Sequence, residues 1–340
     1  MDMNIDKNRQ NLLFDKITYL LSKARSEVVR SVNKKMVYTY FEIGKLIVKE
    51  EQHGKDRAEY GKSILKTLSD KLLKEIGKGF SVDNLENMRK FYLAYSKSET
   101  VSRNLENYDF QLSWSHYLKL IRINDLDERN FYEIEAIQNN WSLRELRRQS
   151  DSALYQRLVL SRDREGVKKL SEKGQVIERP KDTLKDPYIL EFIGLPENTK
   201  YSESLLEQKL IDKLEHFLLE LGKGFTFVAR QKRITIDEKH FKIDLVFYNR
   251  ILKSFVIIDL KIGELKHQDI GQIQMYVNYY DRFVKLKDEN KTVGIILCQD
   301  KSETLVEITL PQDNEQIFAS KYLTVLPSKD ELKQLIERKE

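Results

Sequence analysis

The chain has 340 residues, 40% of them apolar and 33% charged, with 59 Lys+Arg against 54 Asp+Glu for a net charge of +5. Its 15 Phe, 17 Tyr and 2 Trp suffice for a packed core, which excludes disordered and collagen-like chains, and the length suggests two domains. One cysteine, Cys298, excludes a disulfide scaffold and a multi-cysteine metal cage, and it suits a reducing compartment.

The first ten residues, MDMNIDKNRQ, are polar and carry no signal-peptide apolar segment. No apolar run reaches the length of a membrane span, so a cytoplasmic protein with no membrane partner is expected. Residues 8–162 read as helices, with apolar positions at three- and four-residue spacing near 10–31, 33–51, 61–76, 82–95, 115–123 and 142–160. Ser81 is a candidate N-cap after Gly77-Lys78-Gly79, and Ser142-x-x-Glu145 reads as a capping box. The stretch Lys62–Tyr95 is thus helix, glycine turn, helix, with Arg89 and Lys90 on the second helix. It is either a DNA-binding helix-turn-helix or an ordinary helical hairpin.

Charge is uneven. Residues 1–170 hold 32 Lys+Arg and 25 Asp+Glu, and the remainder holds 27 and 29. A basic front half suits a polyanion partner, although charged helix faces are commonly just solvated. The segment 163–185 is charged and poor in large apolar residues, so it reads as a linker between a helical, basic, DNA-binding domain (1–162) and a second domain (186–340).

Beyond the linker the pattern changes to a helix at about 202–221 ended by Gly222 and three strands, Thr226–Thr235, His240–Tyr248 and Ser254–Lys261. A helix at about 267–283 and a strand at Val293–Cys298 follow. This order describes an α/β domain with a mixed sheet flanked by helices.

Alternation along HFKIDLVFY puts Phe241, Ile243, Leu245 and Phe247 on one face and Asp244 with Lys242 on the other. In SFVIIDLKIG, Asp259 and Lys261 share a face at the end of an apolar run. A hairpin around Arg250-Ile251 would set Asp244 opposite Ile257 and diagonal to Asp259, about 7–8 Å away at Cα. Two carboxylates so placed could converge on one hard cation, which prefers oxygen ligands. Alternatively, Lys242 and Lys261 neutralise them in an ion-pair network. Gln272 and Tyr276, spaced i, i+4, either position a phosphate or the lysine, or simply pack a helix on the sheet.

Glu207, Asp244, Asp259-x-Lys261 and Gln272-x-x-x-Tyr276, in this order of elements, resemble the PD-(D/E)XK nuclease superfamily, the last pair being similar to the QxxxY helix motif of its RecB-like members. More extensively, the chain resembles the bacterial YhcG-type nuclease family. The stretches concerned are AEYGKSILKTLSDKL, GKGFSVDNLENMRKFY and WSLRELRRQ in front, and LKDPYILEFIGLPE, FLLELGKGFTFVARQKR and FKIDLVFYN behind.

The resemblance implies an all-α, winged-helix-like N-terminal domain and a restriction-endonuclease-like α/β core. It implies Asp244, Asp259, the Leu260 carbonyl and Glu207 as ligands of Mg²⁺ or Mn²⁺, with Glu203 one turn before Glu207 as the competing acid. Lys261 would orient or activate the attacking water, Gln272 and Tyr276 would support the site, and Gln231 is a further candidate beside it. Ile243 stands where proline often precedes the first Asp, and Asp259 stands where many relatives carry Glu. The expected activity is Mg²⁺-dependent hydrolysis of phosphodiester bonds in DNA, with Lys242 and the front domain on backbone phosphates and a homodimer as the expected assembly. The rival expectation is a non-catalytic DNA-binding or assembly protein that keeps a nuclease-like fold.

Overall fold

A computed structural model of the protein describes residues 2–53, 57–96, 109–162, 164–196, 201–328, 330–332, 334 and 336. The chain divides into two compact units, Met1–Leu146 and Arg147–Glu340.

The first unit contains only helices among its described residues: α1 (Asp2–His53), α2 (Arg57–Glu75), α3 (Val82–Ser96), α4 (Trp114–Leu120) and α5 (Leu126–Gln138). No strand, and hence no β wing, occurs among them. The two helices expected near 10–31 and 33–51 are one, because no Gly or Pro interrupts the stretch between them. Helix α5, capped by Asp125 on the Glu128 N–H, was not anticipated. Ser81 caps α3 by accepting from the Asn84 N–H, and Gly77 and Gly79 take the left-handed backbone of the preceding turn. Val37, Phe41 and Ile47 of α1 are buried, as are Leu85, Met88 and Phe91 of α3. The two helices approach so closely that a Cβ on Gly44 would stand 2.1 Å from the Met88 carbonyl oxygen.

The second unit begins before the expected boundary at 162. The single helix expected over 142–160 is broken at Ala153, whose φ is 51°, into α6 (Leu143–Asp151) and α7 (Leu154–Leu160). Arg157 of α7 is fully buried and ion-pairs with Glu220, whose carboxylate also accepts the Ile189 N–H at 2.9 Å. That buried pair makes α7 part of the C-terminal unit. The segment expected as a linker is not extended chain: it contains α8 (Arg164–Lys173) and a 3₁₀ turn at Pro180–Thr183, with Leu170 and Leu184 buried.

The core is a six-stranded mixed sheet in the order β1-β6-β5-β4-β3-β2, formed by β1 (Tyr188–Ile189), β2 (Phe225–Ile236), β3 (Lys239–Asn249), β4 (Ser254–Glu264), β5 (Val293–Asp300) and β6 (Ile317–Leu323). β2, β3 and β4 form an antiparallel meander, whereas β4, β5, β6 and β1 are parallel. On one face Leu206 and Leu210 of α9 (Glu203–Asp212) and Phe217 and Leu221 of α10 (Leu214–Leu221) cluster with Leu245, Phe247, Val256, Ile258 and Leu260. These two helices replace the single one expected at 202–221, the break lying at Lys213. On the other face Ile270, Ile273, Tyr276 and Val277 of α11 (His267–Phe283) cluster with Ile243, Val246, Ile257 and Ile296. Gly294 on β5 is required here, since a Cβ would lie 2.7 Å from Ile273. β1, β6 and α12 (Glu303–Thr309) complete the unit and were not anticipated.

Two expectations about the β3–β4 hairpin are corrected. Its loop is four residues, 250–253, because Asn249 Oδ1 accepts the Ile251 and Leu252 N–H groups and Lys253 takes a left-handed φ of 49°. The pairing runs Asn249↔Ser254 to Leu245↔Ile258. One step further sets Asp244 opposite Asp259 rather than diagonal to it. The shift relative to the expected register is two residues, which leaves every side chain on its own face.

The second correction concerns alternation. Phe241 and Ile243 pack with Val246 against α11, whereas Leu245 and Phe247 lie in the opposite core. The strand therefore changes phase at Asp244.

Candidate active site

The phase change at Asp244 is matched on β2. Pairing between β2 and β3 includes Arg230↔Leu245 and Lys232↔Ile243 but skips Gln231 and Asp244, and Gln231 has a left-handed φ of 46°. A non-glycine residue in that region is strained by roughly 1–2 kcal/mol. The Gln231 amide donates to both Glu207 Oε2 and Asp244 Oδ1, the latter at 3.1 Å. The strained backbone thus aims one amide at two carboxylates borne on different elements.

β3 and β4 part beyond Leu245↔Ile258. There the Leu260 N–H donates to Asp244 Oδ2 at 2.9 Å. A backbone donor freed by the splay is satisfied by the side chain that follows the last ladder pair.

Asp259 is 1% exposed, and Lys261 Nζ lies 2.8 Å from its Oδ2. Lys261 is the partner of that buried oxygen. Burial, with Asp244 adding to it, pushes the Asp259 carboxyl up to about 7 against the pull of Lys261. Burial also raises Asp244, against the Leu260 N–H and Lys261, and raises Glu207, against Gln231 and Arg230. Burial lowers the Lys261 ammonium, but Asp259, Glu203 and Asp244 together more than offset it, so its pKa lies above the ordinary lysine value. Lys261 is therefore a cation and a proton donor in this site.

Glu207 is buried on α9, and Arg230 Nε lies 3.1 Å from its Oε1. Arg230 also donates to Gln208 at 3.0 Å. Glu203, one turn earlier, accepts the Ile262 N–H at 3.4 Å and acts electrostatically on Asp244, Asp259 and Lys261. Sequence reasoning missed Arg230. Its only signal was adjacency to Gln231.

The expected pair Gln272 and Tyr276 borders the site, Tyr276 lying within electrostatic reach of Asp259, Asp244 and Lys261. Gln272 donates to the Tyr276 hydroxyl at 2.7 Å, and that hydroxyl donates to the Lys242 carbonyl at 3.0 Å. Their hydrogen bonds thus hold β3 two residues before Asp244, a positioning part. In the first unit, Arg89 of α3 is engaged with Glu51 at 2.7 Å and with Glu86, and Lys90 also pairs with Glu86. Neither side chain is an unpaired cation.

Among the described residues no three His, Cys, Asp or Glu side chains form a ready metal cage. The donors suit a hard cation even so. Asp244 and Asp259 supply oxygen, the buried Asp259 Oδ2 has only the Lys261 ammonium beside it, and Asp244 disfavours the charged form of Asp259. Mg²⁺ is commonly held by one or two carboxylates, with water and substrate completing its shell.

The family profile of the YhcG PDDEXK nuclease domain matches residues 181–337, and that of the DUF1016 N-terminal domain matches residues 16–157. "Putative nuclease YhcG" of Escherichia coli (strain K12) is 37% identical over 345 residues, which covers 94% of this chain and 92% of that relative. The chain belongs to the YhcG nuclease family, and its C-terminal unit carries the restriction-endonuclease-like core of that family's nuclease domain. Among solved structures, a repair endonuclease from Pyrococcus abyssi is 16% identical with a TM-score of 0.25, covering 39% of this chain and 50% of its own. The EndoMS-dsDNA2 complex is 14% identical with a TM-score of 0.27, covering 40% and 51%. The chain thus spans about half the length of each of these structures. No helix among the described residues is long and apolar enough to cross a membrane.

Proposed function

We propose that the protein is a divalent-metal-dependent nuclease that hydrolyses phosphodiester bonds in DNA, with the basic N-terminal unit binding nucleic acid. The observation that carries this reading is the meeting of Asp244, Asp259 and Lys261 where β3 and β4 part. Asp244, Asp259 and the Leu260 carbonyl would hold Mg²⁺ or Mn²⁺, with Glu207 tied to them through Gln231. A bound ion would supply charge neutralisation at the scissile phosphate and a lowered pKa for water.

The protein's own groups do the rest. Lys261, protonated and partly desolvated, donates to the attacking water or to a non-bridging phosphate oxygen and offsets charge as it develops. Gln231 fixes the direction of Asp244 and Glu207. Arg230 offsets the charge of Glu207 and leaves Asp244 and Asp259 as the net anionic centre. Tyr276, through the Lys242 carbonyl, fixes the height of β3. The N-terminal unit would add sequence-independent attraction to phosphates that weakens with salt. As a homodimer the protein would offer one site to each strand of a duplex.

Nicking of supercoiled plasmid with Mg²⁺ or Mn²⁺, against EDTA, tests this reading. Asp259→Ala and Lys261→Ala should each lower the rate at least about 100-fold, the scale of losing one group that stabilises transition-state charge. Nicking by both variants at the wild-type rate would make the site assignment wrong. Loss of a divalent-ion thermal shift in Asp244→Ala provides a second readout, independent of turnover.

A further inference from the structure

Beyond the point where β4 leaves β3, residues 232–236 of β2 and 239–243 of β3 pair only with each other and form a two-stranded arm. Its two faces differ. Ile234 and Ile243 are buried, and Ile236 and Phe241 pack beside them against the α11 side, while the Tyr276 hydroxyl holds the arm through the Lys242 carbonyl. The arm is therefore seated on the domain by one face and presents the other to solvent.

The presented face carries two rungs, Arg233↔Lys242 and Thr235↔His240. All four side chains are exposed, and among the described residues neither Arg233 nor Lys242 makes an ion pair. Like charges directly opposite each other across a ladder are destabilising. Here one member of the pair, Arg233, is nonetheless held in place. Arg233, which has no acceptor, donates to His240 Nε2 at 2.9 Å, so the ring proton sits on Nδ1 and is donated to Thr235 Oγ1 at 3.0 Å. Two unneutralised cations facing each other across one rung fit an anion between them. The rung lies two residues from Asp244 along β3, about 6.6 Å at the usual strand rise.

We infer that the polar face of this arm is a phosphate-backbone site, in which Arg233 and Lys242 clamp a phosphate of the nucleic-acid strand next to the one presented to the carboxylates, and Thr235 and His240 continue the track outward. The inference rests on the nuclease reading for the identity of the strand, though not for the existence of the anion site. Charge complementarity favours a phosphodiester strand over an acidic protein. The two cations face each other across one rung two residues along β3 from Asp244, and a two-stranded ribbon has dimensions that a DNA groove admits.

The test is fluorescence anisotropy of a 20-base-pair DNA duplex with the full chain in EDTA, over a series of salt concentrations. Arg233→Ala/Lys242→Ala should weaken binding roughly tenfold or more near 0.1 M salt and reduce the slope of log K against log salt by about 2. Both side chains are exposed and the structural contact of Lys242 is through its carbonyl, so the fold is retained; circular dichroism checks this. Arg282→Ala/Lys287→Ala, an equal loss of exposed charge on and after α11, should change binding far less. Unchanged affinity and slope in the arm variant, or an equal loss in the control, would overturn the inference. Cleavage by the wild type with Mg²⁺ is read separately. Binding through the arm without cleavage removes the nuclease reading alone, and cleavage with unaltered arm binding removes the arm alone.

Discussion

Asp244 and Asp259 each lie one residue past the last backbone pair of the β3–β4 ladder, Leu245 and Ile258. Were the ladder to continue, the Leu260 N–H would bond to β3 backbone; instead it donates to the Asp244 carboxylate. The site is thus a place where a sheet opens, and its charges are buried because the sheet around it is.

Burial of Asp259 has a pH-dependent cost. Its carboxyl, about 7 in the folded protein, titrates near 3.9 in an unfolded chain. Between those values the folded state holds a proton that the unfolded state has released, so metal-free stability falls as pH rises from about 4 to 7. Asp259→Asn should therefore raise the melting temperature at pH 8 in EDTA while abolishing cleavage. Its advantage, at most about 4 kcal/mol, should vanish near pH 4. A variant less stable than wild type at pH 8 would contradict this assignment of cost.

Gln231 separates strain from function. Gln231→Gly relieves the left-handed backbone but removes the amide that joins Glu207 to Asp244. Stability should stay within about 1 kcal/mol of wild type, the strain relieved being offset by glycine entropy. Nicking should fall at least about tenfold. Equal activity would show that the bridge has no part in the reaction.

Tyr276→Phe removes one buried hydroxyl and leaves the Lys242 carbonyl without that donor. The expected loss is about 1–3 kcal/mol of stability. Because the hydroxyl acts by holding β3, kcat should fall with little change in KM. Gln272→Ala, one hydrogen bond further out, should have the smaller effect on both. The reverse ranking would assign Gln272 a direct part.

The buried Arg157–Glu220 pair predicts where a nuclease unit can be cut out. Removing one partner of a fully buried pair typically costs about 3–5 kcal/mol. Arg157→Ala should lower the urea midpoint accordingly. A fragment of residues 147–340 should unfold cooperatively, whereas one of residues 181–340 strips buried Glu220 of both Arg157 and Arg148, leaves it Lys185 alone, and should not fold. Cooperative unfolding of the shorter fragment would place the boundary later, as the linker-like composition of 163–185 suggests.

The chain by itself determined the local order: the helical front, the three strands after Gly222, α11 over its full expected length, and the placement of Asp244, Asp259 and Lys261 on one hairpin. Helical periodicity and the period-two face of β4 are local signals, and they survive without knowledge of partners. Tertiary structure decided what depends on contacts far apart in sequence. The charge-rich segment 163–185 looked solvated, yet it packs, because Leu170, Leu184 and even Lys185, bonded to the Glu220 carbonyl, are buried. Gln272 and Tyr276 are legible as a pair on one helix face, but that their hydrogen bonds brace β3 at the Lys242 carbonyl depends on how α11 packs on the sheet. Neither Gln231 nor Asp244 announces the phase change that both share, since an unpaired rung is set by two strands together and is written in neither one alone.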